Sequence, residues 1–436
     1  NMEFKLNNTK VLELMTLKGI HTQTELAQQL GISKNQLSII LSDKFNPLKS
    51  TVARLTDILG EGVMLSIEPK YKETEFDLRI EGTETSFPDT FVNTDNIVSK
   101  RTFNVLELFA GAGGLALGLE QAGLQDIGLV EFDKYAAATL RKNRPNWNVI
   151  EQDITKITDD STNGIYDYID PSIELDVLSG GFPCQSFSYA GKRLGIEDTR
   201  GTLFYNYAHI LKQTHPKMFI AENVRGLVTH DHGRTLKTII DVFEQIGYHT
   251  TYRVLNAWDY GVAQKRQRMI LIGIRNDLDI TYEFPKPFVY KPVLRDVLTD
   301  VPNSPGQAYS PKKAEVMKLV PAGGYWRDLP DQIARDYMGV SYFSGGGRTG
   351  MARRISWDEP SLTLTTSPSQ KQTERAHPDE NRPFTTREYA RIQSFPDNWE
   401  FEGSTNQIYK QIGNAVAVNF AKQIGLSVIN SLNQLV

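Results

Sequence analysis

From Arg101 onward, short apolar runs alternate with amphipathic stretches, and this alternation limits the fold of the 436-residue chain more than any other feature. The spacing predicts strands over 103–108, 127–130, 176–178, 218–221 and 269–274, with a helix over 114–122. Parallel strands need a crossover long enough to hold a helix, so the alternation implies an α/β fold, a doubly wound and mostly parallel sheet covered on both faces. The most apolar stretch, 105–124, contains Glu107, Glu120 and five glycines, which fits strand, turn and helix rather than a membrane span. The rhythm breaks over 285–385, rich in proline and glycine, and returns from Thr386.

Residues 1–60 have a different texture. Val11, Leu12, Leu14 and Met15 recur at helical spacing before Gly19. Thr22 followed by Glu25 makes a capping box, Gly31 ends that helix, and Ser33 can cap a second helix over 34–41. Two short helices around a glycine turn make an all-α helix-turn-helix pattern, which resembles the phage-repressor-like domains. Lys34, Asn35 and Gln36 are its candidate DNA contacts; a plain helical hairpin with a solvated face is the alternative.

A net charge of −4 argues against nucleic-acid binding until it is divided by segment. Residues 61–100 hold 9 acidic and 4 basic side chains, so a short acidic connector carries most of the excess. The opening 30 residues mix charges and amides without the apolar run of a secretory leader, and a cytoplasmic, nucleoid-associated protein of a prokaryote or phage is expected. A single cysteine, Cys184, excludes an intrachain disulfide and argues against a thiolate metal site. It is either a small buried filler or a reagent.

The first predicted strand runs into Phe109-Ala110-Gly111-Ala112-Gly113-Gly114-Leu115, a glycine turn that opens a helix. Such a turn lets a ligand approach the backbone at a helix N-terminus. Glu131 follows at the end of the second strand, where a carboxylate takes ribose hydroxyls, and Asp153 ends the next apolar run. No Lys-Ser/Thr pair follows the glycines, so the pattern suits a nucleoside without a polyphosphate. Tight packing alone is the competing account of the glycines.

Cys184 lies in Gly180-Gly181-Phe182-Pro183-Cys184-Gln185-Ser186-Phe187-Ser188, directly after a predicted strand. A thiol at its ordinary pKa is only a few per cent ionised at neutral pH, and a nearby cation increases that fraction. Gln264-Lys265-Arg266-Gln267-Arg268 offers cations, and Glu222-Asn223-Val224 a proton donor at another strand end.

With these segments in order, residues 103–436 resemble the DNA cytosine-5 methyltransferases. The segment 109–115 matches the S-adenosylmethionine motif, Pro183-Cys184 the catalytic motif, Glu222-Asn223-Val224 the base-recognition motif and Gln264-x-Arg266-x-Arg268 the cationic motif. Arg387 to Pro396 resembles the late helix supporting the recognition region, and Gly413-Asn414-Ala415-Val416 the last motif, which closes the cofactor pocket. The resemblance implies a Rossmann-like catalytic domain over 101–277, completed by 386–436, with a smaller target-recognition domain over 278–385. It implies S-adenosylmethionine as cofactor, S-adenosylhomocysteine as product and no metal. The implied pocket comprises Phe109, Ala110, Gly111, Gly113, Gly114, Leu115, Glu131, Phe132, Asp153, Ile154, Pro183, Asn414 and Val416.

In the implied chemistry the Cys184 thiolate adds to carbon 6 of cytosine and makes carbon 5 nucleophilic. Glu222 holds and protonates ring nitrogen 3, Arg268 holds the exocyclic oxygen, and Arg266 orders the cysteine and a nearby phosphate. Carbon 6 is buried in stacked duplex, so the base must be flipped out. Residues 185–203, with Gln185, Ser188, Lys192, Arg193 and Arg200, are the expected closing loop. Within the recognition domain, residues 342–357 contain Arg348, Arg353 and Arg354 and no acidic side chain, which suits guanine reading.

The resemblance implies a short specific duplex site, methylation to 5-methylcytosine, and the modification role in a restriction-modification system. Residues 1–60 would bind operator DNA of the protein's own promoter and dimerise, with the catalytic part monomeric and no membrane partner. An RNA cytosine methyltransferase and a transcription regulator with a vestigial enzyme are the alternatives. The helix-turn-helix weighs against the first, and the intact Cys184, Glu222 and arginine motifs against the second.

Overall fold

The structure, a computed structural model, describes residues 5–6, 8–41, 49–60, 64–65, 90–183, 195–343 and 347–436. The chain divides into two compact units, 1–84 and 85–436.

In the first unit, strand β1 (Lys5–Leu6) pairs antiparallel with β2 (Met64–Leu65). Helices α1 (Asn8–Leu17), α2 (Gln23–Leu30), α3 (Lys34–Ile40) and α4 (Lys49–Leu59) complete it. Both caps expected from sequence are present. Thr22 accepts from the Glu25 N–H, Ser33 accepts from the Gln36 N–H, and Gly31 takes the left-handed conformation at φ 67°. The helix α4 was not foreseen as a separate element. It closes the core by burying Leu55 and Leu59 against Val11, Met15, Leu26, Leu30 and Leu37. Arg54 also donates to the Leu30 carbonyl at 2.6 Å, satisfying an end of α2.

The second unit opens with β3 (Phe91–Val92) and is built on seven strands: β4 (Phe103–Leu108), β5 (Leu124–Val130), β6 (Val149–Ile150), β7 (Val177–Gly180), β8 (Met218–Val224), β9 (Tyr248–Asn256) and β10 (Gln267–Arg275). Their order is β6-β5-β4-β7-β8-β10-β9. The strands from β6 to β8 are parallel, whereas β10 is antiparallel to both β8 and β9. The order reverses between β4 and β7, which opens a crevice beyond their carboxyl ends.

Crossovers run through α5 (Gly114–Ala122), α6 (Lys134–Asn143), α7 (Ile154–Asp159), α8 (Leu203–Thr214) and α9 (Arg234–Ile246). Alternate residues of the central strands enter two cores. Val105, Val177, Ile220 and Ile272 face α5, while Leu106, Leu178, Phe219 and Leu271 face α8 and α9. That explains the apolar runs without polar alternation. Strand β9 was missed because Thr250, Thr251 and Arg253 interrupt its apolar pattern and it lies at the sheet edge.

Past β11 (Phe284–Pro285), which pairs parallel with β3, regular structure thins to α10 (Leu294–Val297), α11 (Pro311–Met317) and α12 (Asp331–Met338). Met317, Val320, Trp326, Met338 and Met351 form a separate small core here. Helices α13 (Thr386–Ile392), α14 (Thr405–Asn414) and α15 (Val418–Leu432) return the chain to the sheet. Helix α15 lies against α5: a side chain at Gly118 would meet the Ala421 methyl at 2.4 Å and the Val418 carbonyl at 2.5 Å.

Candidate active site

The crevice is entered from β4 through a turn in which Phe109, Gly111 and Gly113 all have positive φ. The glycines there do different work. A Cβ on Gly111 would meet nothing within 4 Å, so this position faces open space. A Cβ on Gly113 would strike Leu140 and Trp399 at 2.8 Å, and one on Gly114 the Val416 carbonyl at 2.1 Å. Gly113 and Gly114 are therefore packing positions, as are the buried side chains of Ala110, Leu115 and Ile154, each of which sits in a core. Among the turn's glycines, Gly111 is the one with open space beside its Cα.

Glu131, after β5, accepts from the Gly111 N–H at 2.6 Å and the Asp133 N–H at 2.7 Å. Burial pushes its carboxyl up, opposed by these two bonds. The remaining lone pairs are available to hydroxyl donors. Beside it the Phe132 ring is 73% exposed, an apolar plate on the crevice side of a strand end. Asp153 caps α7 through its bond from the Thr155 N–H at 2.9 Å. Asn414 and Pro183 are exposed, and Val416 is half-buried. An open glycine backbone, a carboxylate with free lone pairs and an exposed ring suit a nucleoside. Among the described residues no cluster of three His, Cys, Asp or Glu side chains could hold a metal ion.

Cys184, Gln185, Ser188, Lys192 and Arg193 lie outside the described residues, but the segment leading to the cysteine does not. Phe182 is buried edge-on against Phe204 and Tyr207, and its carbonyl accepts from Asn223 Nδ2 at 2.7 Å. A Cβ on Gly181 would meet Glu222 Oε2 at 2.6 Å and the Glu222 carbonyl at 3.1 Å, so a side chain there would displace the carboxylate. Thus Glu222 packs against the backbone three residues before Cys184. Glu222 also pairs with Arg268, Oε1 to Nε at 3.0 Å, and both side chains are largely buried. Cross-strand register accounts for the pair, because Arg268 opposes Val224, two residues along from Glu222. Burial pushes the Glu222 carboxyl up against the opposing charges of Arg268 and Arg266, and pushes Arg268 down.

Three sequence expectations are corrected. Arg266 does not reach toward a phosphate: its guanidinium is buried and donates to the carbonyls of Leu364 at 2.9 Å, Gly413 at 2.8 Å and Ala415 at 3.2 Å. Burial, with the charge of Arg268, pushes it down to about 9. Arg353 is buried in a two-point pair with Glu359, and Arg354 donates to the carbonyls of Met317, Val320, His377 and Glu380. Both arginines hold the small core together and cannot present themselves to base edges. Arg348 is different: it is half-buried, has φ 42°, and its Nε is buried with no hydrogen-bond partner among the described residues.

Arg200 is exposed and paired with Glu197 at 2.7 Å. Lys34 and Asn35 are exposed on α3, whereas Gln36 accepts from the Ser33 N–H at 2.8 Å and serves the cap. Sequence reasoning missed the anchoring role of Asn223, and also Gln264 and Gln393, two buried amides joined at 2.7 Å. The glutamine two residues before Arg266 was visible in the motif, but nothing in its local pattern marks a partner 129 residues away.

Comparison with known proteins agrees with this geometry. The model for C-5 cytosine-specific DNA methylases matches residues 103–430, and that for the Cro/C1-type HTH DNA-binding domain matches residues 10–63. The chain is 56% identical over 443 residues to the type II methyltransferase M.Sau96I of Staphylococcus aureus, covering 99% of each. It is 57% identical over 343 residues to M.PspPI of Psychrobacter sp. (strain TA137), covering 76% of this chain and 80% of that one. A solved structure of the Entamoeba histolytica methyltransferase EhMeth shares the fold, with a TM-score of 0.54 at 16% identity, covering 76% of this chain and 99% of that one. The crevice, the buried Glu222–Arg268 pair and these matches together identify the chain as a member of the C-5 cytosine-specific DNA methylase family, with a Cro/C1-type helix-turn-helix domain at its N-terminal end.

Proposed function

We propose that the protein methylates carbon 5 of a flipped cytosine in a short specific duplex site, as the modification enzyme of a restriction-modification system. The observation that carries this reading is the buried Glu222–Arg268 pair packed against the turn into Cys184, beside a crevice with an open glycine backbone. S-adenosylmethionine would supply an electrophilic methyl group there, held by the Gly111 backbone, Glu131, Phe132 and Asn414.

The chain's own residues do the rest. The Cys184 thiolate bonds to carbon 6, and the 5,6 double bond shifts its electrons toward nitrogen 3. Glu222, biased toward its protonated form by burial, delivers a proton to that nitrogen. Arg268 lies beside it as donor to the exocyclic oxygen. Once carbon 5 carries its methyl, its proton leaves to a solvent-derived base, the carbon–sulfur bond breaks to restore the 5,6 double bond and return the thiolate, and nitrogen 3 gives its proton back to Glu222. Bisulfite mapping of a plasmid incubated with protein and S-adenosylmethionine tests this: protected cytosines in one short motif are expected, and a wholly convertible plasmid would reject it.

The recognition role is reassigned within 278–385. Arg348→Ala is expected to weaken discrimination at one guanine by about 10- to 100-fold, the worth of a bidentate contact. Arg354→Ala should instead cost at least about 2 kcal/mol of stability, because several buried carbonyls lose their donor. Methylation rates on single-base variants of the site, beside thermal melts, separate the two. For residues 1–60 we propose operator binding through Lys34 and Asn35. Deleting them should abolish a footprint on the protein's own promoter while sparing methylation, and an unchanged footprint would reject that role.

A further inference from the structure

Arg266, Gln264 and Gln393 form a buried polar knot where an apolar core would be expected. Gln264 Nε2 donates to Gln393 Oε1 at 2.7 Å, and Gln264 Oε1 accepts the Leu364 N–H at 2.9 Å. Gln393 Nε2 donates to the carbonyls of Ile412 at 2.9 Å and Ala415 at 3.1 Å. Ala415 O also receives Arg266, so one carbonyl is held from two sides. The knot thus grips two backbone segments, around 364 and over 412–415.

Both segments lead to functional places. The Arg266 end belongs to the strand entry that carries Arg268, two residues on, against Glu222. The 412–415 end contains the exposed Asn414 and continues to Val416, whose carbonyl fills the space beside Gly114 at the cofactor turn. Gly413 is itself pressed on the Thr365 carbonyl, where a Cβ would stand 2.2 Å away. The link between the base-side strand and the cofactor turn therefore runs through three buried side chains, each held by directional hydrogen bonds. Both amides and the terminal nitrogens of Arg266 are paired, Arg266 Nε alone of the knot has no partner among the described residues, and displacing a partner leaves further donors and carbonyls unpaired.

We propose that the Gln264–Gln393 bond is a positioning device that couples occupancy of the cofactor crevice to binding of the cytosine-bearing duplex. The proposal rests on the methyltransferase reading above. Gln393 touches neither ligand; it sets the 412–415 segment relative to the strand bearing Arg268.

The test compares duplex affinity with and without saturating S-adenosylhomocysteine in the full chain. Its ratio is a coupling factor, which a filler role leaves unchanged even where stability falls. In the parent, cofactor product should tighten duplex binding at least about fivefold, the lower end of ordinary coupling. In Gln393→Leu the ratio should fall to within about twofold of one. Gln264→Leu attacks the same bond from the other strand and should do the same, and the double variant should lose no more than either single one. The second variant decides the matter should the first fail to fold. A parent ratio near one, or a ratio preserved in a folded variant, overturns the proposal. Methylation of duplex by the parent reports separately on the proposed function, so the two can fail independently.

Discussion

Cys184→Ala is expected to transfer no measurable methyl, a loss of about 10,000-fold or more, while S-adenosylhomocysteine binds within about twofold of the parent. Removing the nucleophile of a covalent mechanism leaves binding intact and deletes the step that makes carbon 5 reactive. The segment that leads to Cys184 is firmly anchored. Two residues before it, Phe182 is held by its ring between Phe204 and Tyr207 and by its carbonyl on Asn223. A duplex carrying 5-fluorocytosine at the target should trap a covalent complex with the parent, because fluorine cannot leave carbon 5 as a proton does. The alanine variant should form none. An active enzyme without that adduct, or an active alanine variant, would remove Cys184 from the mechanism.

Glu222→Gln should cost about 100- to 10,000-fold in kcat, the usual worth of a placed general acid. The pH profile is more diagnostic than the size of the loss. Burial raises the carboxyl, so its protonated form persists to higher pH than a surface glutamate allows. The parent rate should therefore decline as pH rises through that raised pKa and the donor ionises. Glutamine does not titrate, so the variant should lose this alkaline decline while keeping any change that belongs to the thiol. A variant whose alkaline limb matches the parent's would assign it to another group. Since Arg268 loses its partner in this variant, the rates are to be read on protein that still binds S-adenosylhomocysteine.

What could be read in the sequence follows from how local each feature is. Strand β4, the glycine turn and α5 are contiguous, and their bounds match expectation because apolar period and glycine placement are local signals. The Thr22–Glu25 capping box and the Ser33 cap were readable for the same reason, whereas the part Gln36 plays in the second box was not. Direction was less accessible: β10 has the composition of a buried strand whether it runs parallel or antiparallel. The arginines were misassigned because a cationic stretch without acids looks like a DNA-facing loop. Arg353 finds its acid at Glu359 only after the chain turns, and Arg354 is satisfied by carbonyls, which no sequence pattern displays. Distant partners such as Gln264 and Gln393 were invisible on the same ground.

The seam between α5 and α15 determines when this protein can mature during synthesis. The partner of Gly118 is Ala421, and that of Gly425 is Ala122, so the first crossover helix cannot complete its packing until residues about 300 positions later have left the ribosome. The first unit, residues 1–84, closes its apolar core with side chains from residues 11–59. A nascent chain therefore carries a finished repressor-like head well before it carries a finished enzyme. Chains arrested late in translation should present the helix-turn-helix domain without any capacity to modify bases.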